Sequence, residues 1–176
     1  MASSKVVCLF RHIQTNQVVV STRQYAENKC LRQLNIARRP PRLRKDHWRP
    51  LVALTGFDSA ESAQAVKDAY LQLSNERQRA RQSSPEYLAT PKKKRLNDDM
   101  DMVEDSIKSL RDALDKLAPR HFANDTNLSA LWEQSRFIDF KEEGKDWPKF
   151  VDHGLLELQG NRFVTEEKSN PAPASS

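Results

Sequence analysis

Residues 38–50 read Arg-Arg-Pro-Pro-Arg-Leu-Arg-Lys-Asp-His-Trp-Arg-Pro, six Lys/Arg and one acid in 13 positions. Arginine presents a planar fork of donors that matches phosphate oxygens, and its guanidinium also stacks on bases. Pro40, Pro41 and Pro50 keep the backbone extended, which lowers the entropy lost when the segment is laid along a phosphate track. An extended basic segment with an aromatic member suits irregular RNA better than a major groove, which takes a helix or a ribbon. The candidate RNA-binding residues are Arg32, Arg38, Arg39, Arg42, Arg44, Lys45, His47, Trp48 and Arg49. Trp48 has two readings that the sequence leaves open, a buried anchor or a platform for a base. The bland reading of the other charges is a solvated segment in which Asp46 pairs locally with an arginine.

A second, scattered set of RNA-binding candidates comprises Lys5, Arg11, Arg77, Arg79, Arg81, Lys92, Lys93, Lys94 and Arg95. The run 92–95 resembles a nuclear localisation signal and equally suits a solvated linker ahead of an acidic helix start. Asp98, Asp99, Asp101, Glu104 and Asp105 favour the positive end of a helix and lack the Gly and terminal Glu of a calcium loop, so no metal is expected. His12, His47, His121 and His153 are dispersed and pair with no Cys, Ser or carboxylate at a catalytic spacing. Cys8 and Cys30 indicate neither a zinc site nor a disulfide framework, and a reducing compartment is the default. The four glycines form no phosphate-cradling loop. A non-catalytic chain without cofactor, small-molecule substrate or membrane partner is expected.

The net charge of +5 is unevenly placed: residues 1–50 carry eleven Lys/Arg against two acids, and the other 126 carry 18 against 22. Concentrated positive charge attracts polyanions by releasing their condensed counterions. A membrane surface would require a cationic helix, and the densest charge lies where prolines break helices. No window approaches the roughly 18 apolar residues of a spanning helix. With 38% apolar and 30% charged residues over 176 positions, the core should be small for the length.

Periodicity assigns the elements that must position these charges. Val6 to Phe10 and Gln17 to Ser21 read as a hairpin with a five- or six-residue connection, and Tyr25 to Leu34 as a short helix. A third strand, Leu51 to Phe57, follows the Trp48-Arg49-Pro50 stop, and a helix begins at Asp58, with Glu61 three residues on, and runs to about Gln82. Pro85 and Pro91 mark a linker, and after Asn97 an amphipathic helix carries Met100, Val103, Ile107, Leu110, Leu114 and Leu117 until Pro119 ends it. Leu128 to Arg136 reads as a helix capped by Asn124, Asp125 or Thr126, and Leu155–Leu158 with Arg162–Val164 as a hairpin around Gly160-Asn161. The fold class is α+β. Its expected parts are a basic N-terminal lobe of strands with one or two packed helices (1–82), a linker (83–96), the long helix (97–118), a C-terminal helix and hairpin region (119–168) and a disordered tail (169–176).

Three blocks carry a resemblance: Val7-Cys8-Leu9-Phe10-Arg11-His12-Ile13-Gln14-Thr15-Asn16-Gln17-Val18-Val19-Val20-Ser21, Leu31-Arg32-Gln33-Leu34, and Pro41-Arg42-Leu43-Arg44-Lys45-Asp46-His47-Trp48-Arg49-Pro50. In order and spacing they resemble the fungal mitochondrial large-ribosomal-subunit proteins also known as the mitochondrial homologous recombination protein family. Lys94-Arg95-Leu96-Asn97-Asp98 fits the same pattern, and the likeness covers roughly residues 5–117. It implies a mitochondrial matrix protein that contacts large-subunit rRNA and neighbouring mitochondrial ribosomal proteins. It also implies an alternative role on mitochondrial DNA, in homologous pairing or transcription in the nucleoid. The strand pattern starting at Val6 leaves little room for a removable presequence, so an uncleaved N-terminus is expected.

Overall fold

Alternating apolar residues build a sheet that is buried on both faces. The computed structural model describes residues 5–122, 125–159 and 162–163. Strands β1 (Val7–His12), β2 (Val18–Ser21), β3 (Trp48–Thr55), β4 (Leu128–Trp132) and β5 (Val151–Leu155) pair in the order β2-β1-β3-β4-β5, antiparallel except for the parallel β4–β5 edge. Val7, Leu9, Val18, Val20, Val52 and Leu54 face one side, and Cys8, Phe10, Val19 and Ala53 the other. Two-sided burial is why β2 reads as an unbroken apolar run.

The first face is covered by two long helices, α1 (Ala60–Gln82) and α4 (Val103–His121), through Val66, Tyr70, Ile107, Leu110 and Leu114. The second face is covered by residues 22–47, which contribute Ala26, Cys30, Leu31, Leu34 and Leu43. This layer contains three 3-10 turns, Asn28–Gln33, Ile36–Arg38 and Lys45–His47, where a short helix over 25–34 was expected. Polar side chains hold it in place of helical ladders. The Gln33 amide donates to the Val20 carbonyl and accepts its N–H, both at 2.8 Å, so that one side chain closes the outer edge of β2. Asn28 Oδ1 accepts the Leu43 N–H at 2.9 Å.

Other expectations change for local reasons. Trp48, Arg49 and Pro50 do not stop the chain ahead of β3 but begin it. Leu9 pairs with Val52 and Phe10 with Pro50, so Leu51 is an extra residue turned into the helix-side core. Pro50 stands at this bulge and outside the stretch paired with β4, where a missing N–H is tolerated. The α1 cap is Ser59, which accepts the Ser62 N–H, while the Asp58 carboxylate accepts the Thr126 hydroxyl. Gly56, at φ +93°, lets β3 turn beneath β4, because a Cβ there would stand 2.7 Å from the Asn127 carbonyl oxygen.

The expected linker over 83–96 is helical. Pro85 opens α2 (Pro85–Ala89) behind a Ser84 cap and Pro91 caps α3 (Lys92–Met100), so both prolines mark helix starts. The helix expected from 97 is divided at Asp101–Met102 into the end of α3 and α4, and Pro119 lies inside the last turns of α4 without ending it. The helix expected over 128–136 is β4 followed by a 3-10 turn, Ser135–Phe140. Leu128, Leu131 and Trp132 match a helical period while Leu128, Ala130 and Trp132 match a strand, and pairing with β3 and β5 decides for the strand. Asp125 and Thr126 therefore cap no helix, and Asn124 lies outside the described residues. Of the expected terminal hairpin, β6 (Leu158–Gln159) and β7 (Arg162–Phe163) pair antiparallel, while Leu155 belongs to β5. Gly160, Asn161, Val164 and the tail lie outside the described residues.

Candidate nucleic-acid interface

The basic segment is held at fixed points along its length. Gln17 donates its amide to the Arg38 carbonyl at 3.0 Å, Leu43 is buried, and the Ile13 N–H donates to the His47 carbonyl at 2.9 Å. Between these anchors Arg42, Arg44 and Lys45 are exposed, with Arg49 exposed at the start of β3. Arg44 pairs with Asp46 at 3.0 Å with both side chains more than half exposed, a contact worth little in water. Arg42, Lys45 and Arg49 have no ion-pair partner among the described residues, nor does Arg32. His47 is half-buried beside Asp46.

Other members of the segment work inside the fold. Arg39 donates to the Leu34 carbonyl at 2.8 Å and to the Arg32 carbonyl at 3.2 Å. Arg38 donates to the Leu96 carbonyl at 2.8 Å and pairs at 3.2 Å with the buried Asp99 carboxylate, which also accepts the Tyr87 hydroxyl at 2.6 Å. Trp48 is 3% exposed and meets the His12 ring edge-on, so of its two readings the structure takes the anchor. His12 is buried, and its Nδ1 accepts the N–H groups of Gln14 and Thr15 at 3.2 Å. Burial and the neighbouring His47 hold its pKa below the ordinary imidazole value.

The scattered candidates divide in the same way. Arg11 makes a two-pronged bond to Glu133 at 2.7 and 2.8 Å, which raises its pKa and ties β1 to the end of β4. Arg77 bridges Asp112 and Glu142, and Lys145 with Arg77 holds the Glu142 carboxyl down at about 2. Arg81 pairs with Asp105 at 2.5 Å, and Arg95 donates to the Thr90 and Leu88 carbonyls beneath the Tyr87 ring. Lys5, Arg79, Lys92, Lys93 and Lys94 are exposed. No three His, Cys, Asp or Glu side chains among the described residues gather where they could hold a metal ion.

A surface that the charge pattern did not single out lies along α1. A cavity of about 180 Å³ is lined by Arg23, Lys29, Arg32 and Lys67. A second, of about 570 Å³, shares Arg32 and Gln33 with it and continues past Asn35, Asn75, Gln78 and Gln82. A third shares Leu34, Asn35, Gln78 and Gln82 with the second and ends at Arg38, Tyr87 and Asp99. The three form one groove between α1 and the 3-10 layer. Its helical wall is written in the sequence as Lys67, Leu71, Asn75, Gln78 and Gln82, steps of three and four residues beside the apolar face.

Sheet, helical layer and irregular basic layer together define an α+β protein with the exposed cations Arg42, Lys45 and Arg49 on the irregular layer and the start of β3 beside it. The chain belongs to the Mhr1 family, whose model is described as transcriptional regulation of mitochondrial recombination and matches residues 4–86, a stretch that includes β1 to β3 and α1. It is 30% identical over 180 residues to the large ribosomal subunit protein mL67 of Schizosaccharomyces pombe, an alignment that covers 95% of each chain. That likeness extends through the C-terminal region, beyond residues 5–117 over which the family pattern is visible in the sequence.

Proposed function

We propose that this chain is a structural, non-catalytic constituent of the mitochondrial ribosomal large subunit. Arg42, Arg44, Lys45 and Arg49 lie on large-subunit rRNA, with Arg32 and the Lys92–Lys94 turn as flanking contacts. The more acidic C-terminal half meets neighbouring ribosomal proteins. The observation that carries this reading is the end-to-end likeness to a large-subunit protein, at equal coverage of both chains. Three exposed cations without ion-pair partners on an anchored segment support the RNA contact, because their charge is available for counterion release.

Arg38 and Arg39 act here as positioning residues, since their donors are committed to backbone carbonyls and to Asp99. Its place is the mitochondrial matrix, on the ribosome. The test is sedimentation of mitochondrial lysate at moderate and high salt, following this chain against large-subunit rRNA. Co-migration that survives high salt is expected. A pool that follows mitochondrial DNA instead overturns the ribosomal reading in favour of pairing or transcription in the nucleoid, which the description of the matching family favours.

A further inference from the structure

We propose that the groove between α1 and the 3-10 layer holds a short single strand of RNA, with phosphates at its Arg32–Lys67 end and bases against Asn75, Gln78 and Gln82. The inference rests on the RNA reading and assigns it a second surface, apart from the 42–49 segment.

Charge comes first. Four cations line the narrow end of the groove, and Glu27 is the carboxylate that two of them share: it pairs with Arg23 at 2.9 Å and with Lys29 at 3.1 Å. Arg32 and Lys67 are left without an ion-pair partner among the described residues, so this end carries an excess of positive charge suited to phosphate oxygens.

The middle of the groove has a different character. Asn35, Asn75, Gln78 and Gln82 bring side-chain amides to both walls beside one exposed cation, Arg79, and no acid lines this part. An amide offers a donor and an acceptor in one plane, the pattern that reads a base edge. Leu34 and Leu71 supply an apolar floor for sugar and base faces.

Length and direction agree. From Lys67 to Gln82 is 15 residues of helix, about 22 Å at 1.5 Å per residue. At 3.4 Å per phosphate that holds about six stacked nucleotides, and fewer when bases are splayed apart. At the far end Arg38 is already paired with the buried Asp99, so the unpaired positive charge, and with it the phosphates, lies toward Arg32 and Lys67. Asn75, Gln78 and Gln82 can reach base edges only where bases are unpaired, which selects a single strand over an A-form duplex.

The full chain is titrated by fluorescence anisotropy with labelled ten-nucleotide single-stranded RNAs of U, A or C and with a ten-base-pair RNA duplex, across a salt series. The single strands bind more tightly than the duplex. Arg32→Ala with Lys67→Ala lowers affinity for single strands about tenfold and flattens the salt slope by about 1.4. Asn75→Ala with Gln78→Ala leaves the slope alone and evens out the preference among the three bases. Thermal melting shows that each variant is folded.

If both groove variants melt and bind like wild type while Arg42→Ala with Lys45→Ala and Arg49→Ala loses RNA, the groove assignment falls and the RNA reading stands. If wild type binds none of these RNAs at low salt, both fall. If poly-glutamate binds with the same sensitivity to the Arg32 and Lys67 changes while RNA does not, the groove takes an acidic peptide and the RNA assignment is overturned. Equal binding of the matching DNA strands makes the groove a reader of single strands in general and overturns RNA as its particular ligand.

Discussion

The two layers that cover the sheet are built by different means. On one side α1 and α4 bury apolar residues at helical spacing and lock together through Arg77 and Arg81 of α1 on Asp112 and Asp105 of α4. On the other side residues 22–47 bury fewer side chains and are held by Gln33 on Val20, Asn28 on Leu43, and Arg39 on Leu34. Hydrogen bonds from side chains to backbone leave the chain extended and its remaining cations exposed. The regular layer is held by apolar packing and ion pairs, and the irregular layer by side-chain hydrogen bonds that leave Arg42 and Lys45 exposed.

The largest effect should come from breaking the regular layer. Ile107 is fully buried between α4 and the sheet, and Ile107→Asp would place an unpaired charge there. The expected cost of about 3–5 kcal/mol or more approaches the whole stability of a small domain. Circular dichroism during urea titration should find no cooperative folded state for this variant. A normal transition would mean that α4 does not pack as described.

In the irregular layer, Arg39→Ala removes three donor contacts to the carbonyls of Arg32 and Leu34. Charge-assisted bonds of this kind contribute about 1.5–3 kcal/mol, so the urea midpoint should fall clearly while the protein still folds. Arg39→Lys should recover little of the loss, because one ammonium cannot reproduce the planar fork. An unchanged midpoint would make Arg39 a free surface cation and return it to the interface.

Acid should act on both layers through two imidazoles. His12 Nδ1 accepts two backbone amides beneath the 3-10 layer, and His153 Nδ1 accepts the Trp132 indole N–H at 3.0 Å on the β5 edge. Burial lowers the pKa of each, so folding favours the neutral rings. Their contribution is present above the ordinary value of about 6.5 and is lost as pH falls below it toward the folded-state values. Urea midpoints should therefore drop between about pH 7.5 and pH 5.5, and His12→Asn, which keeps an acceptor without titrating, should reduce the drop. A flat profile would show that neither ring is held neutral.

How far this comparison could be read from sequence follows the same division. Strands β1 and β2 are visible as short unbroken apolar, β-branched runs and helices α1 and α4 because a period of 3.6 repeats for whole elements. The identity of β4 is hidden because Leu128, Leu131 and Trp132 match a helix while Leu128, Ala130 and Trp132 match a strand, and only pairing with β3 and β5, both distant in sequence, decides between them. Prolines 85 and 91 mislead because the same residue that ends a helix also starts one. For the site, the position of the basic segment was plain, but which guanidiniums are spent on Asp99 or on carbonyls depends on residues up to 61 positions away, as Arg38 and Asp99 show. The groove was written in α1 as the amides Asn75, Gln78 and Gln82 among the isolated cations Lys67 and Arg79, too sparse in charge to stand out in a search for charge.

The smallest effect on stability should belong to the residues with the largest effect on binding. Arg42, Lys45 and Arg49 touch no carboxylate among the described residues, so replacing all three with Ala should change the urea midpoint by the equivalent of about 0.5 kcal/mol or less. On RNA the same triple variant should flatten the salt slope by roughly 2 on a single strand and nearer 3 on a duplex, since each lost phosphate contact removes about 0.7 or 0.9 of a counterion. Anisotropy across a salt series beside a urea titration reads both at once. A variant that loses stability in step with binding would mean that these cations hold the irregular layer together as Arg39 does, and the separation between a layer that supports and a layer that touches would fail. A variant that stays folded and loses only its salt dependence would locate the phosphate contact on side chains the fold does not need.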